Sequence, residues 1–198
     1  MSKPRHSWSA VRWLAIFGVG LVLSAIAISQ TESSKLPQDL NGKPTDPFTS
    51  PSGQVVVLLF LRTDCPISNR YAPAIQQLAA EFRGQARFWL VYPDSSESPD
   101  EIREHLRRFQ YSLPALRDVH HSLVQRSSVT ILPEAAVFDA TGKLAYHGRI
   151  DNWYQYVARP RPAPTSHDLQ EAIRAVLAGK MVQPDHADAV GCYISDLK

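Results

Sequence analysis

The residues best suited to chemistry cluster in RTDCPISNRYAP, positions 62–73, between the apolar run VVVLLFL (55–61) and the helix-like IQQLAAEF. Cys65 falls where a strand stops and a helix starts. Pro66 takes the first helical position, where its missing N–H is no loss. A sulfur at a helix start faces unpaired backbone N–H groups and the positive end of the helix dipole, and both favour the nucleophilic thiolate. Arg62 and Arg70 add to that effect and Asp64 opposes it. A strand-to-helix turn also exposes the sulfur; the competing reading is a buried, inert cysteine. A CxxC pair would place its second thiol at position 68, but the chain has Ser68 there. A disulfide attacked by Cys65 would then stay attached until another thiol releases it. Cys192, in the C-terminal GCYI, is the one other thiol in the chain. It is either that resolving group or a free thiol in a tail that merely packs on the domain.

These residues must be positioned by regular elements. VVVLLFL is apolar at every residue, as in a central strand covered on both faces. Helical spacing runs from Pro66 to Phe82 and ends at Gly84. RFWLVYP (87–93) reads as a second strand. SPDEIREHLRRFQ (98–110) begins with Ser98, Pro99 and acidic residues and ends in basic ones, a well-marked helix. A short helix is expected near 119–126, and strands at 135–139 and 143–150 flank a turn. A last helix covers 168–177. Residues 29–54 read as linker and then loop, with a turn at NGKP (41–44). The order is that of an α/β thioredoxin-like fold, a central mixed sheet with flanking helices, although pattern alone leaves other α/β sandwiches open.

The N-terminus follows a different logic. Lys3, Arg5 and Arg12 precede the uninterrupted apolar and small stretch WLAIFGVGLVLSAIAI (13–28), and polar residues follow. This is the pattern of a secretory signal or an uncleaved membrane anchor, with Ala25-Ile26-Ala27 as a cleavage site. Positive charge ahead of the run sends the following domain across the membrane. The expected organisation is therefore 1–28 signal or anchor, 29–35 linker and 36–198 domain, in a periplasmic or other extracytoplasmic location. Oxidising surroundings make a lone cysteine pair a candidate disulfide. The formal charge of +2 becomes −1 once the three N-terminal basic residues are set aside, which gives no basic nucleic-acid surface. No GxGxxG, HExxH, CxxCH or paired CxxC is present, so nucleotide, zinc-protease and haem readings have no support and no cofactor is called for.

VVVLLFLRTDCPISNRYAPAI, ILPEAAVFDATGKLAYHGRID, PTSHDLQEAIRAVLAGK and the terminal AVGCYI together resemble the peroxiredoxin-like group of the redoxin (alkyl hydroperoxide reductase/thiol-specific antioxidant) proteins, over about residues 36–196. The resemblance implies that Cys65 matches the first cysteine of a thioredoxin CxxC. It also implies that Pro133 is a cis proline set against it, with the Leu132 backbone pairing with an incoming chain. An ordinary trans proline at a strand start is the alternative. True peroxiredoxins place their reactive cysteine where Ser68 stands and have threonine three residues before it; here Arg62 holds that position relative to Cys65, and Thr63 is one place late. Disulfide exchange through Cys65 is the favoured expectation, on protein disulfides or with an external thiol reductant. Pro66, Ser68, Leu132 and Glu134 are candidates for positioning the substrate. Glu134 either shuttles a proton near Cys65 or pairs with Arg62 or Arg70. A thiol peroxidase is one alternative function. A copper chaperone is another, although Asn69 stands where its CxxxC motif needs the second cysteine. His120 and His121 are read as solvated, and Tyr71, Trp89 and Trp153 as core or rim.

Overall fold

Alternation along VVVLLFL divides the core in two. The computed structural model describes residues 35–49, 53–157 and 159–194, all but Lys35 within the compact unit that begins at Leu36. Along the chain run β1 (Gln38–Asp39), β2 (Val55–Phe60), α1 (Pro66–Arg70), α2 (Ala72–Glu81), β3 (Ala86–Tyr92), α3 (Pro99–Arg108), β4 (Ala115–Arg117) and α4 (Ser122–Ser127). There follow β5 (Ile131–Leu132), β6 (Glu134–Phe138), β7 (Leu144–Gly148), β8 (Tyr154–Tyr156), β9 (Arg159–Pro160), α5 (Asp168–Leu177), β10 (His186–Ala187) and β11 (Cys192–Tyr193). A mixed sheet has the order β1-β4-β3-β2-β6-β7-β10. In it β2 runs parallel to β3 and antiparallel to β6.

Val55, Val57, Leu59 and Leu61 share one buried cluster with Ile75 of α2, Ile102 of α3 and Ile173 of α5. Val56, Leu58 and Phe60 share the other with Leu123 and Val124 of α4. Because successive side chains point to opposite faces and both faces are covered, every residue of the strand is apolar.

Several helix ends follow from side-chain chemistry. Ser98 and Glu101 form a reciprocal capping box at the start of α3, with Ser98 N–H donating to Glu101 Oε2 at 2.7 Å and Glu101 N–H to Ser98 Oγ at 3.3 Å. The buried Asp118 carboxylate accepts from the N–H groups of Ser122, Leu123 and Val124 and so starts α4.

The structure departs from the sequence reading at several places. The helix expected over 66–82 is broken at Tyr71, because Pro73 lacks an N–H and its ring opposes the preceding turn. The loop read over 29–54 contains β1, which pairs with the three-residue β4, itself unexpected. The tail after α5 adds β10 to the sheet edge beside β7 and β11 beside β5. The apolar run at 13–28 lies outside the described residues; among the described residues no helix is long and apolar enough to cross a membrane.

Candidate functional site

Cys65 occupies the N-cap of α1 in extended backbone, with Pro66 behind it. Its sulfur makes no capping hydrogen bond to the helix. Instead the S–H donates to the Leu132 carbonyl at 3.5 Å, and the Cys192 sulfur lies 2.7 Å away. Both cysteines are free. The expectation of an exposed sulfur is corrected: Cys65 is only 1% exposed. The cover is the C-terminal tail. Strand β11 runs antiparallel to β5 with Cys192 opposite Leu132, and Ile194 is buried in the α4-side cluster. Gly191 permits this approach, since a Cβ there would overlap the Leu132 carbonyl. The Leu132-Pro133 peptide is cis. The tail therefore occupies the Leu132 backbone that the resemblance assigned to an incoming chain.

Cys192 is half-buried, and its thiol is pushed up to about 12, first by burial and then by the hydrogen bond it donates to Cys65. Arg62 opposes that rise and Asp64 adds to it. The Arg62 guanidinium is shared between Asp64 at 2.7 Å and Asp94 at 3.4 Å. Arg70 donates to the Tyr154 hydroxyl at 3.2 Å and lies over the Trp153 ring.

The remaining candidates divide. Pro66 is exposed and borders an open groove of about 470 Å³ that also takes in Ile67, Phe109, Tyr154, Val157 and Cys192. Ser68 is fully buried with its hydroxyl unpartnered, so it lies beneath the surface a docked chain would touch. Glu134 pairs with neither arginine. Its Oε2 accepts from the N–H groups of Thr130 and Ile131 at 3.0 and 3.1 Å. By strand alternation it shares the face of Ala136 and Phe138, opposite the cluster that includes Cys65. His121 approaches the Pro93 carbonyl at 3.1 Å, and Tyr71 is core, donating to Asp151 at 2.6 Å.

Sequence reasoning missed a buried polar chain that holds the Cys65 turn. Tyr92 OH lies 2.8 Å from His105 Nδ1, and His105 Nε2 lies 2.7 Å from Asn69 Oδ1. Asn69 Nδ2 donates to the Thr63 carbonyl at 3.1 Å, and Thr63 N–H donates to Glu97 Oε1 at 2.6 Å. This set is satisfied by a neutral His105 that is protonated on Nε2 and accepts the tyrosine proton on Nδ1. Burial brings the His105 imidazole down to about 4, with Arg108 adding to the effect. The same burial pushes the Glu97 carboxyl up. One signal was available: His105 follows Ile102 by three residues, on the apolar stripe of its helix.

A mixed sheet of this order, with a thiol at the first helix start and a cis proline facing it, defines a thioredoxin-like protein. More narrowly, the AhpC/TSA family model matches residues 30–147, more than half of the chain, and the chain belongs to that family. The matched segment includes Cys65 and Pro133 and ends before Cys192. Among solved structures, a hypothetical protein from Sinorhizobium meliloti is 22% identical, with a TM-score of 0.67 over 80% of this chain and 88% of its own. An uncharacterized conserved protein from Geobacillus kaustophilus is 20% identical, with a TM-score of 0.67 over 81% and 88%. The pneumococcal exposed lipoprotein thioredoxin from Streptococcus pneumoniae is 20% identical, with a TM-score of 0.52 over 72% and 96%. These likenesses establish the fold. No curated protein matches the sequence.

Proposed function

We propose that this protein is an exported thiol–disulfide oxidoreductase that uses Cys65 as nucleophile and Cys192 as resolving thiol. The observation that carries the reading is the 2.7 Å separation of the two sulfurs. The Cys65 thiolate attacks a substrate disulfide, forms a mixed disulfide with one half and releases the other half as thiolate. Cys192 then loses its proton and attacks the Cys65 sulfur. This forms a Cys65–Cys192 disulfide and frees the second half as thiolate. Two electrons have passed to the substrate, and an external dithiol returns them. The hydrogen bond from Cys192 holds its proton in the resting pair. Once Cys65 is tied up in a mixed disulfide, its sulfur is a weaker acceptor for that bond, and Cys192 gives up its proton more readily. Opening of the tail exposes Cys65 and the groove beside Pro66 to the incoming chain.

The test uses the full-length protein in mild detergent. A stoichiometric small-molecule disulfide should oxidise it to one species with Cys65 linked to Cys192, identified by non-reducing peptide mapping. The protein should also accelerate insulin-disulfide reduction by a dithiol. Separate small-molecule adducts on the two cysteines, with no cross-link, would refute the resolving role.

Family membership favours a second reading, thiol peroxidase. In that case Cys65 attacks a hydroperoxide, releases an alcohol and becomes a sulfenic acid. Cys192 condenses with it to the same disulfide and water. Hydroperoxide consumption far faster than insulin reduction would select this reading.

Export rests on the charge–apolar–polar order of residues 1–35. Fusion of those residues to a reporter that is active only after translocation should give activity. A soluble, silent reporter would count against export.

A further inference from the structure

A second cluster of donor atoms lies on the sheet face opposite Cys65's cluster. Glu134 of β6, His147 of β7 and His186 of β10 each offer one ligand atom, and all three atoms lie within 4.8 Å of one another. His186 is in parallel register with His147, and their rings stack with centroids 4.4 Å apart. Glu134 Oε1 is 3.6 Å from His147 Nδ1, too long for a hydrogen bond. Two ligands bound at about 2.0–2.2 Å in a tetrahedral arrangement stand roughly this far apart. His147 Nδ1 is itself buried and has no hydrogen-bond partner.

The surroundings orient these groups. The Thr130 and Ile131 N–H groups hold Glu134 Oε2, which fixes the carboxylate through the oxygen that does not face His147. His186 Nδ1 is 3.2 Å from the His147 carbonyl and His186 Nε2 is 3.2 Å from Asp188 Oδ1; the nitrogen that takes the ion gives up its contact, and the other keeps its hydrogen bond and orients the ring. Gly148 makes room for the tail strand, because a Cβ there would overlap the Ala187 backbone. His186 is exposed, leaving a way in for an ion and a position open to water.

We propose that Glu134, His147 and His186 form a binding site for a single divalent transition-metal ion of the Zn²⁺ type. Two imidazoles and one carboxylate suit that class, whereas Ca²⁺ and Mg²⁺ require all-oxygen shells. No thiolate takes part. The ion ties the tail, through His186, to the sheet six residues before Cys192.

The probes are Zn²⁺ in equilibrium dialysis and Co²⁺ in visible absorption, both with the full-length protein in mild detergent. In a Cys65→Ser/Cys192→Ser background, one Zn²⁺ should bind per chain. Co²⁺ should give weak nitrogen- and oxygen-type bands without a thiolate charge-transfer band. His186→Ala, at an exposed edge position, should weaken binding at least tenfold with circular dichroism unchanged, and Glu134→Gln should weaken it as well. Absence of saturable binding, affinity unmoved by both variants, or binding that requires the cysteines would overturn the proposal.

Discussion

Cys65 and Cys192 reach the same point by different means. Cys65 is held from within. It follows a strand buried on both faces, precedes a proline-started helix, and its turn is tied by Asn69 and Thr63 to His105, Tyr92 and Glu97. Cys192 is held from outside, on a two-residue strand whose main-chain partner is the equally short β5. The first environment resists opening, whereas the second has few bonds to break. A nucleophile on the rigid side and a resolving thiol on the loose side is an arrangement in which one partner can leave and return.

The largest effects should come from the sulfurs themselves. Cys65→Ser should reduce insulin-disulfide turnover at least 100-fold. Cys192→Ser should keep the first attack, so a mixed disulfide with substrate accumulates on non-reducing gels. Equal loss without a trapped adduct would mean that the two thiols do not divide the work this way.

Gly191→Ala tests the loose side alone. Its methyl group would push β11 from the Leu132 carbonyl, so closure of the Cys65–Cys192 disulfide should slow more than tenfold in stopped-flow oxidation. Thermal stability should fall by a smaller measure, because of the buried cluster members only Ile194 is carried on the displaced tail.

The rigid side should respond to pH. His105 is neutral when folded and titrates only at about 4, against an ordinary value near 6.5. Between those values the unfolded chain binds a proton that the folded chain does not. The stability contributed by His105 should therefore fall as pH drops from about 6.5 to 4, by on the order of 1–2 kcal/mol after solvent screening, while the raised Glu97 carboxyl acts in the opposite sense. Urea melts across that range check this, and His105→Gln should flatten the slope.

Ser98→Ala, at the far end of the helix that carries His105, should cost about 1 kcal/mol by removing the capping box and leave the oxidation rate of the cysteine pair unchanged. A parallel loss in rate would mean that the turn depends on the whole helix and not on the His105 contact.

Much of the frame was legible because its signals are local. The apolar run at 55–61, the Ser98 helix start, the hairpin turn before Lys143 and the 168–177 helix each follow from periodicity or capping within a few residues. The break at Tyr71 was legible too, in Pro73, but the helical spacing on either side masked it. Strands β1, β4, β10 and β11 were not legible, since two or three residues carry no period. They are strands only because a partner edge is there to receive them.

The sequence by itself determined the thiol at a helix start, the absence of a second cysteine at position 68 and the single alternative at position 192, because these depend on residue identity and order. Only the tertiary structure decided that the tail buries Cys65, that Glu134 turns away to join two histidines, and that His105 supports the cysteine turn. Those outcomes depend on which strand edge the tail meets, on which face each side chain projects from, and on two glycines that let backbones touch. Such choices are made by packing between segments far apart in the chain, and no local pattern encodes them.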